Sequence, residues 1–186
     1  METKIVPEIS KRRAFRAFST EKVDEKSIER IMEAARLTPS CGNKQPWRFL
    51  VLTDESALQK GFKALSGGNY WAKHCAFLVF GITKKDLDCQ MPDGREYAHF
   101  DTGMAVENMM LQAVREGLIA HPMAGYNPST VVEEFAVPEG YEVIVALAFG
   151  YPGEGEYLGE KHKALENTPQ IRKKYEEVVA MNEWNL

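Results

Sequence analysis

The run Cys75-Ala76-Phe77-Leu78-Val79-Phe80-Gly81-Ile82 carries no charged, amide or hydroxyl side chain. That continuity constrains the fold more than any other stretch. A strand with one wet face alternates apolar and polar residues, whereas a strand covered on both faces does not. The run therefore predicts a central strand with packing above and below it. Tyr141 to Gly150 predicts another strand of the same character. Trp47 to Leu52 predicts a third, with Phe49 and Val51 opposite in facing to Leu50 and Leu52.

Between these strands the apolar spacing changes to three and four. Asp24 is placed to cap a helix bearing Ile28, Ile31, Met32, Ala35 and Leu37. A shorter helix spans Ser56 to Leu65 and is stopped by Gly67 and Gly68. Tyr97 to Glu116 is too apolar for a single stripe, and its methionines serve either as core filler or as a subunit interface. Leu118 to Ala124 leads back to Gly125, and Asn127-Pro128-Ser129 opens a further helix. Pro7 to Lys11 forms a short helical arm, and Lys84 to Arg95 reads as an exposed excursion. Thr168-Pro169 opens a last helix with Ile171, Tyr175, Val178 and Val179 on one face, and the tail at Trp184 is expected to dock, for instance on a partner subunit. Alternating strands and helices imply mixed α/β layers, and alternation alone points to a parallel sheet.

At 186 residues with 44% hydrophobic residues, the chain is long enough for one domain, 1–186, with a substantial core. A formal charge of -4 argues against a general nucleic-acid or membrane-surface binder. Cys41, Cys75 and Cys89 are odd in number and lack CxxC or Cys/His ligand spacing, so neither a disulfide framework nor a zinc site is expected, and a reducing cytoplasm fits. There is no signal-like N-terminal run and no membrane-length apolar segment. The sequence lacks GxxxxGK[ST] and lacks GxGxxG after a strand. His74, His99, His121 and His162 show no ligand spacing, so no metal is expected.

Two stretches carry functional character. Thr38 to Trp47 packs Pro39, Gly42 and Pro46 among Ser40, Asn43 and Gln45, which makes a defined loop able to edge a ligand. Taken alone, it is a helix-to-strand connection whose polar groups satisfy its own backbone. Cys41 beside Ser40 lacks a positioned base and reads as a small loop residue rather than a nucleophile. Arg12-Arg13-Ala14-Phe15-Arg16-Ala17-Phe18 sets three guanidinium groups among aromatics, which suits a phosphorylated aromatic ligand; alone it reads as a solvated basic patch.

In order along the chain, RRAFRAF, the following helix, PSCGNKQPWRFLVL, Asp101 to Ala105, Gly117-Leu118, His121 to Gly125 and Phe149-Gly150-Tyr151-Pro152 resemble the landmarks of the FMN-dependent nitroreductase family. The resemblance covers nearly the whole chain. It implies an α+β nitroreductase-like fold, with a central, mostly antiparallel sheet surrounded by helices in an intertwined homodimer. It also implies an FMN oxidoreductase that uses NAD(P)H as a transient co-substrate to reduce nitroaromatic, quinone-like or related acceptors. Dehalogenating and flavin-consuming enzymes share the fold, and a non-catalytic flavin carrier is the alternative.

By the same resemblance Arg12 binds the phosphate, Arg13 and Ala14 contribute backbone, and Arg16 reaches the pyrimidine edge of the ring. Ala14 stands where the family often has Ser, which removes one hydroxyl contact. Asn69 lies where an amide contacts the ring, and Ala124-Gly125 matches a turn approaching the hydride-accepting nitrogen, although an ordinary turn fits equally. Lys161 and Lys163 resemble a basic pair that closes over the phosphate, pointing the same way only if their segment is extended. Pro39, Ser40, Cys41, Asn43 and Gln45 would meet the cofactor of the partner protomer. No covalent catalytic residue is expected.

Overall fold

A computed structural model describes residues 5–186. Four strands, β1 (Arg48–Leu52), β2 (Phe77–Thr83), β3 (Ile119–Met123) and β4 (Glu142–Gly150), form one sheet in the order β1-β2-β4-β3. Every neighbouring pair is antiparallel. Strand–helix alternation alone had pointed to a parallel sheet, and the family resemblance to an antiparallel one. The latter is observed: β1 and β2, joined through α3, and β3 and β4, joined through α5, each return antiparallel.

β2 is buried at all seven positions. Leu78, Phe80 and Ile82 face a cluster with Leu58, Phe62, Trp71 and Val131, next to α3 (Glu55–Ala64) and α5 (Pro128–Phe135). Phe77 and Val79 face a second cluster with Ile31, Trp47, Met109 and Phe149, under α2 (Glu25–Arg36) and α4 (Ala98–Arg115). The period of two along one strand thus divides the core into two layers. Asp24 caps α2 as expected, accepting the N–H of Ser27. Helix α1 covers Pro7–Lys11.

Three expectations fail. First, α3 ends at Ala64, and Gly67 and Gly68 lie inside a following 3-10 helix, Gly67–His74, instead of stopping α3. Second, the chain around Lys161 and Lys163 is α6 (Glu160–Glu166), not an extended segment. Third, beyond Thr168 there is only a 3-10 turn at Tyr175–Glu177 in place of the last helix, with Ile171, Tyr175 and Trp184 exposed. The apolar spacing there is helical, but no face of this chain packs against it, and a short helix without packing is marginal in water.

Candidate functional site

The Arg12–Phe18 segment runs extended from α1 toward an isolated bridge between Phe18 and Pro152. Its amides meet a carboxylate from α6. The N–H of Arg16 reaches both Glu166 oxygens at 3.0 Å, and the N–H of Ala17 reaches Oε2 at 3.2 Å. The Arg16 guanidinium lies 3.5 Å from the same carboxylate and 5.8 Å from the Trp71 ring. Arg13 lies over Phe15 at 4.8 Å and donates to the carbonyl of Thr168. Tyr157 donates to the Arg16 carbonyl at 2.9 Å and accepts the Phe18 N–H. The arginine segment is therefore held by α6 and the Gly155–Tyr157 loop rather than left as a solvated patch.

Beneath it lies His121 of β3, whose Nδ1 sits 3.0 Å from the Phe15 carbonyl, so that nitrogen carries the proton. Burial pushes the imidazole down to about 4. The Phe15 carbonyl opposes that shift, and Arg16 and Arg12 reinforce it. Its ring packs 4.4 Å from Trp71. The Trp71 indole N–H is buried without a hydrogen-bond partner among the described residues. Asn69, in the same 3-10 helix, donates to the Gly125 carbonyl at 2.8 Å. A Cβ on Gly125 would come within 2.9 Å of that amide nitrogen, so glycine permits the approach.

The arginine segment, through Phe15 and Ala17, and α6 border a cavity of about 440 Å³ whose walls also include Leu158, Lys163, Glu166 and Asn167. Of the expected site residues only Lys163 lines this cavity; Arg16 stands next to it through its pair with Glu166, while Arg12, Arg13, Ala14, Asn69, Ala124 and Gly125 are not among its walls. Lys161 does not pair with Lys163 on one face. Two helical residues two apart point about 200° from one another, and only Lys163 lines the cavity.

Pro39, Ser40 and Cys41 line a different cavity, of about 380 Å³, with Met91, Tyr97, Phe100, Asp101 and Met104. The loop behind it is defined, as expected. Gly42, Asn43 and Gln45 all have positive φ, at 55, 56 and 52°, a conformation costly for the two non-glycine residues. It is held by the Gln45 N–H on Ser40 Oγ at 2.8 Å and by the Cys41 N–H on buried Asp101 at 2.6 Å. Cys41 is not an unpaired small loop residue, because it is disulfide-bonded to Cys89, with the Cα atoms 6.0 Å apart. The two cysteines are 48 positions apart in separate loops, so spacing carried no sign of the pairing. Cys75 is free and buried, and burial pushes its thiol up to about 12.

Glu166 and Trp71 escaped sequence reasoning, and Asp101 and His121 entered it only as the starts of family landmarks, without these contacts. Their partners lie far away in the chain, and a lone Glu, His, Trp or Asp carries no motif. Among the described residues no helix is long and apolar enough to cross a membrane.

A sequence model of the nitroreductase family matches residues 9–69 and 59–151. An Archaeoglobus fulgidus protein provisionally named NADH dehydrogenase/NAD(P)H nitroreductase is 31% identical over 150 residues, which is 76% of this chain and 81% of that protein. The major NAD(P)H-flavin oxidoreductase of Aliivibrio fischeri is 24% identical over 203 residues, 87% of this chain and 90% of its own. Among solved structures, one described as an oxidoreductase containing FMN superposes with a TM-score of 0.88 at 27% identity, covering 100% of this chain and 95% of its own.

Proposed function

Because this chain belongs to the nitroreductase family, we propose that it is an FMN-dependent oxidoreductase, with NAD(P)H as donor and a nitroaromatic, quinone-like or related small molecule as acceptor in the same pocket. The flavin supplies hydride acceptance and release when bound. The chain supplies position and field. Arg12 and Lys163 provide the cations for the phosphate, with Lys161 adding charge nearby. Arg16 would serve the pyrimidine edge of the flavin, and the Ala124-Gly125 turn would offer backbone to the ring.

The observation that carries this reading is the cavity walled by Phe15, Ala17 and Lys163, with the Arg16 guanidinium beside it on Glu166. The donor set fits a phosphorylated aromatic group. Glu166 also borders the cavity, but its charge is engaged by the Arg16 guanidinium and two amides. Buried His121 stays neutral at ordinary pH and so adds no competing cation.

Pro39, Ser40, Cys41, Asn43 and Gln45 would complete the site from the second subunit of a homodimer. Support comes from Pro39, Ser40 and Cys41, which line a separate cavity in this chain. Phe100 on α4 is 62% exposed and Trp184 of the tail 85%, and apolar side chains so open belong against another surface.

The phosphate assignment is tested by comparing FMN with riboflavin. Charge-assisted contacts contribute about 1.5–3 kcal/mol each, so FMN binds more tightly and Arg12→Ala weakens FMN tenfold or more while leaving riboflavin nearly unchanged. Equal affinities for the two ligands would overturn it.

A further inference from the structure

The disulfide between Cys41 and Cys89 ties the loop that enters β1 to the excursion that leaves β2, beyond the paired residues Arg48 and Ile82. Its surroundings are unusual for a purely structural crosslink. Both cysteines are partly exposed, and Cys41 opens onto the apolar cavity of about 380 Å³. Both are also held by buried acids. Asp101 accepts the Cys41 N–H at 2.6 Å, and Asp88 accepts the Cys89 N–H at 2.7 Å. Asp88 is 7% exposed, and its second oxygen has no hydrogen-bond partner among the described residues. A carboxyl oxygen of Asp88 and the two sulfurs lie within 4.8 Å of one another.

We propose that Cys41–Cys89 is a thiol–disulfide exchange site for a dithiol reductant, and that its state sets the conformation of the Ser40–Gln45 loop. A thiolate of the reductant attacks one sulfur and breaks the S–S bond, giving a mixed disulfide and a cysteine thiolate. The second thiol of the reductant resolves the mixed disulfide and leaves as a cyclic disulfide. Two electrons pass to the cysteines, and the two protons of the dithiol end on Cys41 and Cys89.

Asp88, a carboxyl oxygen of which lies within 4.8 Å of both sulfurs, serves this step by relaying one of the dithiol's two protons to the departing sulfur. Burial holds its carboxyl above the usual range, the neighbouring Asp101 pushes the same way, and the Cys89 N–H and Lys44 oppose them. The consequence for the loop follows from its backbone. Asn43 and Gln45 occupy left-handed conformations, which persist only where the surroundings over-determine them. The disulfide adds a covalent restraint to the hydrogen bonds that hold that loop, so its loss lets the loop open more often. On the reading that the loop edges the partner's cofactor, the exchange would also alter turnover.

The test uses the intact protein equilibrated with oxidised glutathione, then treated with dithiothreitol without denaturant. Iodoacetamide labelling and mass spectrometry follow the thiols, and hydrogen exchange follows the amides of residues 40–45. The expected result is labelling of Cys41 and Cys89 only after dithiothreitol, with Cys75 unlabelled. Loop exchange becomes faster by about tenfold, equivalent to roughly 1.4 kcal/mol, and is restored on reoxidation. Cys89→Ser shows the fast exchange without reductant, and Asp88→Asn slows reduction severalfold. Free thiols in the oxidised protein, resistance to dithiothreitol, or identical loop exchange in both states would overturn the proposal. None of these readouts needs bound flavin, so they fail or succeed independently of the cofactor assignment.

Discussion

His121 reaches the Phe15 carbonyl through Nδ1 and packs its ring on Trp71, fixing the middle of the arginine segment from below. Its folded pKa is depressed to about 4 by burial, against about 6.5 in an unfolded chain. The neutral form therefore contributes stability that is complete above the unfolded value and is lost as pH falls from about 6.5 toward 4. The span corresponds to about 3 kcal/mol. Urea unfolding as a function of pH should show the wild type losing about that much more than His121→Asn across this window; parallel curves would contradict it. At this scale the arginines stood out by residue type, whereas Asn69 and Gly125 were singled out only by the family resemblance. Glu166 stayed hidden because its amide partners are 149 and 150 positions away, and Cys41–Cys89 because nothing local distinguishes a pair separated by a folded loop.

Helices α2 and α4 are joined at one end by Glu116, which accepts from Arg30 Nε at 2.8 Å, from Gln112 at 2.7 Å and from Ser27 Oγ at 3.1 Å. The Arg30 guanidinium, helped by Gln112 and Ser27, holds this carboxyl down to about 2. Its stabilisation is present above the unfolded value near 4.5 and disappears as pH falls toward 2. Arg30 is half-exposed and solvent screens the pair, so Glu116→Gln should cost about 1 kcal/mol at pH 7. Denaturant midpoints should converge for variant and wild type near pH 2; a constant gap would show that packing, not charge, is responsible. Elements of this kind were readable wherever periodicity met burial: β2 from its unbroken apolar run, α2 from its cap and its spacing. α6 was misread because Lys161 and Lys163 were taken by the period of a strand. The expected last helix had the right spacing but no surface in this chain to pack against.

At the level of the whole molecule, the chain leaves several apolar side chains open. Ile171, Tyr175, Val178, Met181 and Trp184 all lie exposed along the C-terminal tail, a pattern that isolated soluble chains avoid. On the proposed homodimer, removing residues 170–186 should shift sedimentation from dimer toward monomer and release FMN together. A monomeric full-length protein that retains FMN would contradict this. The central claim, a flavin held by the arginine segment and reduced by a nicotinamide, is tested most directly by the visible spectrum of the purified protein under anaerobic conditions. Addition of NADH or NADPH should bleach the flavin band, and a quinone or nitroaromatic acceptor should restore it. A protein that stays yellow with both nucleotides, while still binding FMN, would contradict the account.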